Sequence, residues 1–231
     1  MIHKPVKIGN WCTLYRGNAL EILPTLPRVG SAIVTDPPYG ISWCQGSDFR
    51  PGHMKTFARD KSRISGDDQR FDPLPLLAFP EVICWGANYY ADKLPHGKGW
   101  LIWFKSQIHH RPTNFSDAEI AWCSSIKTVK VFKHLWQGFR RDSERGIRRV
   151  HPTQKAIAVM EWCLGFVEGR LIIDPYMGSG TTAVALAGMR IAGGGIPRRF
   201  IGIEKDRRHF DVAVDRIRAA VAKGNDARRA A

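Results

Sequence analysis

The sequence predicts an α/β domain built on an open, largely parallel sheet with helices packed against it. Three observations carry this. Short apolar runs recur along the chain at Ser31–Thr35, Glu81–Trp85, Trp100–Phe104, Arg170–Asp174 and Phe200–Glu204, each of strand length. Apolar residues recur at helical spacing twice in the later part of the chain, as Ile157, Met160, Leu164 and Val167 after Lys155 and as Phe210, Val214, Ile217 and Val221 after the last strand. Two of the strands run directly into tight turns, Asp36-Pro-Pro-Tyr39-Gly40 and Pro175-Tyr-Met-Gly-Ser-Gly180.

In order, Leu20-Glu-Ile-Leu23 reads as a short amphipathic helix before the Ser31–Thr35 strand. That strand must stop at Pro37 and Pro38, because two prolines cannot continue a central ladder. Residues 42–70 are polar, basic and glycine-containing, and read as a long loop of the kind that usually serves function. The strands at Glu81 and Trp100 follow, with Ala118–Ser124 as a fourth. Residues 127–150 read as a small basic insert, with Lys127, Lys130, Lys133, Arg140, Arg141, Arg145, Arg148 and Arg149 around Trp136 and Phe139. After His151-Pro-Thr-Gln-Lys155 come a helix, the Arg170–Asp174 strand, a helix over Thr181–Met189, the Phe200 strand and a terminal helix. Trp85, Trp100 and Trp103 sit in apolar strands and read as core.

With 231 residues and 44% hydrophobic content, the chain is expected to form a single domain over 1–231. Thirty-five basic against 21 acidic residues give +14, a field that attracts polyanions. The five cysteines lack a CxxC pair and read as reduced core residues, and His109-His110 reads as a surface pair, so no metal site is expected. No apolar run reaches membrane-spanning length and Met1-Ile-His-Lys-Pro5 has no leader-like run, so a soluble, cytoplasmic protein with no membrane partner is expected.

The two turns are the candidate sites. At Gly178-Ser179-Gly180 a strand, a glycine turn and a helix start bring backbone N–H groups toward a ligand, although a plain β–α connection has the same pattern. Asp174 before the turn suits a cationic ligand better than a pyrophosphate, and Ala183 stands where a dinucleotide fingerprint needs its third glycine. Glu204, at the end of the next strand, can accept hydrogen bonds from a ribose. Asp36-Pro-Pro-Tyr39 lies at the carboxyl end of its strand, where ligands of open α/β sheets bind.

Together these segments resemble the amino-methyltransferases of DNA, the adenine-N6 and cytosine-N4 family. Asp36-Pro-Pro-Tyr39 is similar to the family's catalytic motif, and Asp174-Pro-Tyr-Met-Gly-Ser-Gly-Thr-Thr182 to its methyl-donor loop, with Tyr176 where phenylalanine is usual. His151-Pro-Thr-Gln-Lys155 is similar to the segment beside the methionine end of the donor, and Phe200-Ile-Gly-Ile-Glu204 to the ribose-binding strand. The order, catalytic motif first and donor loop last, resembles the permuted β group found in restriction-modification and phage enzymes. Gly17-Asn18 resembles the segment that bonds the donor's adenine, with Asn18 where many relatives are acidic. Ala156 replaces a frequent proline, and Ala192-Gly-Gly-Gly195 lengthens the link to the Phe200 strand.

The resemblance implies a Rossmann-like S-adenosylmethionine-dependent methyltransferase fold, with an open, mostly parallel seven-stranded sheet, helices on both faces and a permuted motif order. It implies donor contacts from Asn18, Thr153, Lys155, Asp174, Tyr176, Gly178, Ser179, Gly180, Thr181 and Glu204. It implies transfer of a methyl group to an exocyclic amine of a base in double-stranded DNA, with Asp36, Pro37, Pro38 and Tyr39 as the catalytic set. Such an amine is a poor nucleophile until acceptors such as the Asp36 carboxylate and the Pro37 carbonyl draw on its N–H bonds, while Tyr39 offers a face for the extruded base. Aspartate at the first position favours adenine N6 over cytosine N4, and the absence of a Pro-Cys dipeptide disfavours carbon-5 chemistry. Lys130, Lys133, Arg140, Arg141, Arg145, Arg148 and Arg149 are the candidate DNA contacts, joined by Arg59, Lys61 and Arg63 from the long loop. So short an insert implies a short recognition sequence, or recognition shared across a homodimer. A nicotinamide oxidoreductase, an inactive DNA-binding relative and an RNA or protein methyltransferase are the rival readings, and each leaves one of the motifs or their order unexplained.

Overall fold

The structure is a computed structural model that describes residues 3–42, 66–106, 116–137, 140–147, 154–191 and 197–230. Its strands are β1 (Val6–Ile8), β2 (Cys12–Arg16), β3 (Ser31–Thr35), β4 (Glu81–Trp85), β5 (Gly99–Phe104), β6 (Ala118–Cys123), β7 (Val129–Lys133), β8 (Trp136–Gln137), β9 (Arg140–Arg141), β10 (Leu171–Asp174) and β11 (Arg199–Glu204). Its α-helices are α1 (Ala19–Ile22), α2 (Leu74–Leu77), α3 (Ile157–Leu164), α4 (Thr181–Ile191) and α5 (Arg207–Ala230). Among the described residues, β1 to β7, β10 and β11 form one nine-stranded sheet in the order β1-β2-β11-β10-β3-β4-β6-β5-β7, and β8 pairs with β9. The register makes β2, β11, β10, β3 and β4 parallel neighbours, and β5 parallel to β7. Only β1 and β6 run against the rest. The expected mostly parallel sheet is therefore present, but with nine strands rather than seven.

Burial explains the central strands. All five residues of β3 and all four of β10 are buried, as expected where helices cover both faces of a parallel sheet. On one face Ala32, Val34 and Ile172 pack with Val159 and Met160 of α3, Leu186 of α4 and Ile217 of α5. On the other, Ile33, Ile173 and Ile203 pack with Ile22 of α1 and Leu76 of α2. Trp85 and Trp103 are core residues as read from the sequence, and Trp100 is partly buried. Cys12, Cys84, Cys123 and Cys163 are free and buried. Helix α3 ends at Gly165, so Val167, expected on its buried face, is buried beyond its end.

Two features differ from the sequence reading. The β1–β2 hairpin at the sheet edge was not foreseen. The basic stretch also does not form a separate insert throughout, because Val129–Lys133 is the opposite edge strand of the main sheet. Lysines fit an edge strand, where they discourage pairing with another chain. No helix among the described residues is long and apolar enough to cross a membrane.

The topology determines where ligands can sit. From β10 the chain passes through α4 to β11 on one side, whereas from β3 it passes through α2 to β4 on the other. β10 and β3 are adjacent, so the chain diverges between their carboxyl ends and opens a crevice there. Asp36 follows β3 and the glycine turn follows β10.

Candidate active site at the carboxyl ends of β3 and β10

The two strand tips are tied together. Thr35 Oγ1 donates to Asp174 Oδ1 at 2.7 Å across 139 residues of sequence. Thr182 Oγ1 donates to Asp174 Oδ2 at 2.6 Å, and the Tyr176 N–H to Oδ1 at 3.2 Å. Asp174 is 3% exposed, and burial pushes its carboxyl up to about 6 against the pull of these donors. Asp174 thus braces the turn as well as facing the cavity. That cavity is walled by Asp36 on the β3 side and by Asp174, Gly178, Ser179 and Thr181 on the β10 side. Gln154, Lys155, Met160, Tyr176, Met177 and Thr182 complete the wall around it.

The glycine loop is built to expose backbone. Gly178 and Gly180 have φ of 50° and 78°, in the left-handed region. A Cβ on Gly180 would stand 3.1 Å from Ala213 Cβ, so glycine also lets α5 approach. Glu204 Oε2 accepts from the Gly178 N–H at 3.0 Å and its Oε1 from the Asp206 N–H at 2.7 Å, which fixes the loop to the end of β11. Burial raises the Glu204 carboxyl above its ordinary value. Arg216 on α5, unremarked in the sequence, donates to the Ser179 carbonyl at 2.6 Å and to Ser179 Oγ at 2.8 Å. Asn18 caps α1, its Oδ1 accepting from the Leu20 N–H at 3.1 Å. It stands beside the end of β11, because the Gly17 N–H donates to the Glu204 carbonyl, but it is not part of the cavity wall.

The acidic turn carries most of the charge. Tyr39 OH donates to Asp36 Oδ1 at 2.6 Å, and Lys155 Nζ donates to Asp36 Oδ2 at 2.6 Å. Lys155 also lies 3.1 Å from Tyr39 OH and 2.8 Å from Glu119 Oε2, and Lys105 Nζ lies 2.6 Å from Glu119 Oε1. Lys155 was expected beside the donor, and it does face the cavity. Its nearest partners are nevertheless the Asp36 and Glu119 carboxylates. Burial pushes the Asp36 carboxyl up and Lys155 pulls it down, leaving it above its ordinary value. Burial would raise Glu119 too, but Lys155 and Lys105 outweigh it and hold that carboxyl at about 2. Burial opposes the charge on Lys155, and the two carboxylates overcome it, so the ammonium is pushed up to about 12.

Tyr39 has one face against Tyr89, with centroids 5.3 Å apart and planes 21° apart. Past the motif, Asp67 Oδ1 accepts from the Gly40 N–H at 2.8 Å and anchors the turn. Gly86 has φ of 72°, and a Cβ there would fall 2.1 Å from the Tyr39 ring. Gly86→Ala is therefore expected to displace Tyr39 and cost about 1–3 kcal/mol, read as a lowered denaturation midpoint. An unchanged midpoint would contradict this packing. Asp67, Tyr89, Gly86, Glu119, Lys105 and Arg216 belong to no motif, and sequence reasoning missed all six.

Of the expected DNA contacts, Lys130, Lys133, Arg140 and Arg145 are exposed. Arg141 stacks on Trp136, 4.6 Å from the ring centroid, and donates to the Ile147 carbonyl at 2.9 Å, so it also holds the shape of the β8–β9 hairpin. Trp136 is 7% exposed and its Nε1 donates to the Gln154 carbonyl, which makes it a core residue. Arg59, Lys61, Arg63, Phe139, Arg148, Arg149, Thr153, the His109-His110 pair and the Gly193–Gly195 run lie outside the described residues.

The chain is similar to known proteins in sequence and in fold. The sequence model of the DNA methylase family matches residues 104–215. The chain is 24% identical over 269 aligned positions to the type II methyltransferase M.HinfI of Haemophilus influenzae, covering 93% of this chain and 70% of that protein. It is 33% identical over 92 positions to the type II methyltransferase M2.DpnII of Streptococcus pneumoniae, covering 39% of this chain and 32% of that one. The fold is similar to the crystal structure of the M1.HpyAVI–SAM complex, with a TM-score of 0.50, 24% identity, and 89% of this chain and 99% of that chain covered.

Proposed function

We propose that this chain, a relative of the DNA methylases with an S-adenosylmethionine-dependent methyltransferase fold, transfers a methyl group to the exocyclic N6 of adenine in double-stranded DNA. The observation that carries the reading is the single cavity walled by both Asp36 and the Gly178–Thr181 loop. The residues present suit the donor. The Asp174 carboxylate faces a cationic ligand, whereas that of Asp36 is paired with Lys155, the loop offers backbone at close range, and Glu204 stands beside it for a ribose.

S-adenosylmethionine supplies a methyl carried on a positively charged sulfur. Asp36 and the Pro37 carbonyl accept from the two N–H bonds of the flipped base, which leaves the nitrogen lone pair free to attack. With the donor bound, Asp36 would take the surplus proton from the methylated nitrogen and pass it on to water, the S–C bond broken in the transfer leaving a neutral thioether. Aspartate rather than serine at position 36 favours adenine over cytosine N4. Lys130, Lys133, Arg140 and Arg145 hold phosphates while the base is extruded.

Asp174 leads to a specific expectation for donor binding. A cationic donor favours its ionised form, so its carboxyl, held near 6 without ligand, gives up a proton when the donor binds. Donor affinity is then expected to rise from about pH 5 to about pH 7, and less steeply for S-adenosylhomocysteine, whose sulfur is neutral. Calorimetry in two buffers of different ionisation enthalpy counts the released protons, and equal heats near pH 6 would contradict the assignment. The function itself is tested by expressing the chain in methylation-free cells and mapping modified bases by long-read sequencing. N6-methyladenine in one short sequence context is expected, whereas N4-methylcytosine would move the assignment to the other base.

A further inference from the structure

Lys155 is a buried ammonium with two carboxylates on it. Its side chain is 6% exposed, with Asp36 Oδ2 at 2.6 Å and Glu119 Oε2 at 2.8 Å. Lys105 closes the group on the far side of Glu119 at 2.6 Å, so two cations balance two anions. Neither Glu119 nor Lys105 forms part of the cavity wall.

Such a pairing solves a problem set by the chemistry. Asp36 enters the reaction as a carboxylate and leaves it as a carboxylic acid, so for part of the cycle its charge is gone. A buried ammonium whose only partner was Asp36 would then be stranded, at a cost that would resist proton uptake. On the reading of function given above, we propose that Glu119 is a positioning residue that acts through Lys155, sharing that ammonium with Asp36 so that Asp36 can take up the proton without leaving a buried charge unpaired. Lys105 in turn keeps Glu119 ionised when Lys155 swings toward Asp36.

The groups facing Asp36 determine the sign of each substitution. They are Tyr39 on its own turn, Lys155 before α3, Glu119 on β6, Asp174 at the end of β10, Tyr90 after β4 and Cys163 on α3. Glu119→Gln removes a negative charge and leaves Asp36 as the one carboxylate on Lys155. Ionised Asp36 is then favoured, and its titration moves to lower pH. Lys105→Met leaves Glu119 less compensated, draws Lys155 toward it and moves the Asp36 titration to higher pH.

The test follows the Asp36 carboxyl by carbon-13 NMR of labelled protein, assigned with Asp36→Asn, alongside the pH dependence of single-turnover methyl transfer. The two substitutions are expected to shift the carboxyl titration and the acid limb of the rate in opposite directions. Glu119→Gln is also expected to lower the plateau rate about tenfold with donor Kd within about twofold. Lys105 is partly exposed, so Lys105→Met carries the test should Glu119→Gln not fold. An active wild type whose Asp36 titration is unmoved, or moved the same way by both substitutions, overturns the proposal. A wild type that never methylates DNA, but whose Asp36 titration moves in the two stated directions, overturns the functional reading and leaves the coupling standing.

Discussion

Asp36→Ala is expected to lower methyl transfer by about 10³-fold or more while donor affinity stays within about twofold. The loss is large because Asp36 has two tasks, accepting an N–H of the substrate amine and receiving the proton after transfer. The fold should survive, because Lys155 keeps Glu119 at 2.8 Å and Tyr39 OH at 3.1 Å when Asp36 is gone. Donor binding should survive because the glycine loop is held by Glu204 and Arg216, not by the acidic turn. Calorimetric donor titration beside a single-turnover rate separates the two effects. A variant that loses both in proportion would show Asp36 to be structural.

Lys155→Met should do the reverse and act first on stability. It leaves the Asp36 and Glu119 carboxylates buried without their common cation, and breaking a buried pair in this way costs about 3–5 kcal/mol. The pH dependence has a definite sign. In the intact protein Glu119 is held at about 2, below its ordinary value, so its stabilising contribution is present above about 4.5 and lost as the pH falls toward 2. Without Lys155 only Lys105 remains on Glu119, so that contribution shrinks, and both carboxyls gain by taking up protons. The gap between variant and parent in urea melts should therefore be widest near neutrality and narrow as the solution is acidified. A gap that is constant across that range would mean that the charge on Lys155 contributes nothing to the fold.

The parts of this site that were legible in the sequence are those made by neighbours in the chain. The β3 strand and its Asp-Pro-Pro-Tyr stop, and the β10 strand with its glycine turn, are local patterns whose bounds in the structure match the reading to within a residue. The relation between them could be inferred only from motif order, because it depends on β10 and β3 being adjacent strands that diverge at one point. Glu119 was illegible for a different reason. It is the one charged residue of an otherwise apolar strand, β6, with no motif around it, and its meaning comes from Lys155, 36 positions away. Edge strand β7 was hidden by its own lysines, which made a sheet element look like a charged insert. Gly86 and Asp67 are visible only once the Tyr39 ring and the Gly40 N–H have positions in space.

The most direct measurement incubates the protein with duplex DNA and donor labelled on its methyl group, then analyses the released nucleosides by mass spectrometry. The account predicts label in N6-methyl-2′-deoxyadenosine from the wild-type protein and none from Asp36→Ala. Equal label from both proteins, or label on a ring carbon, would contradict it.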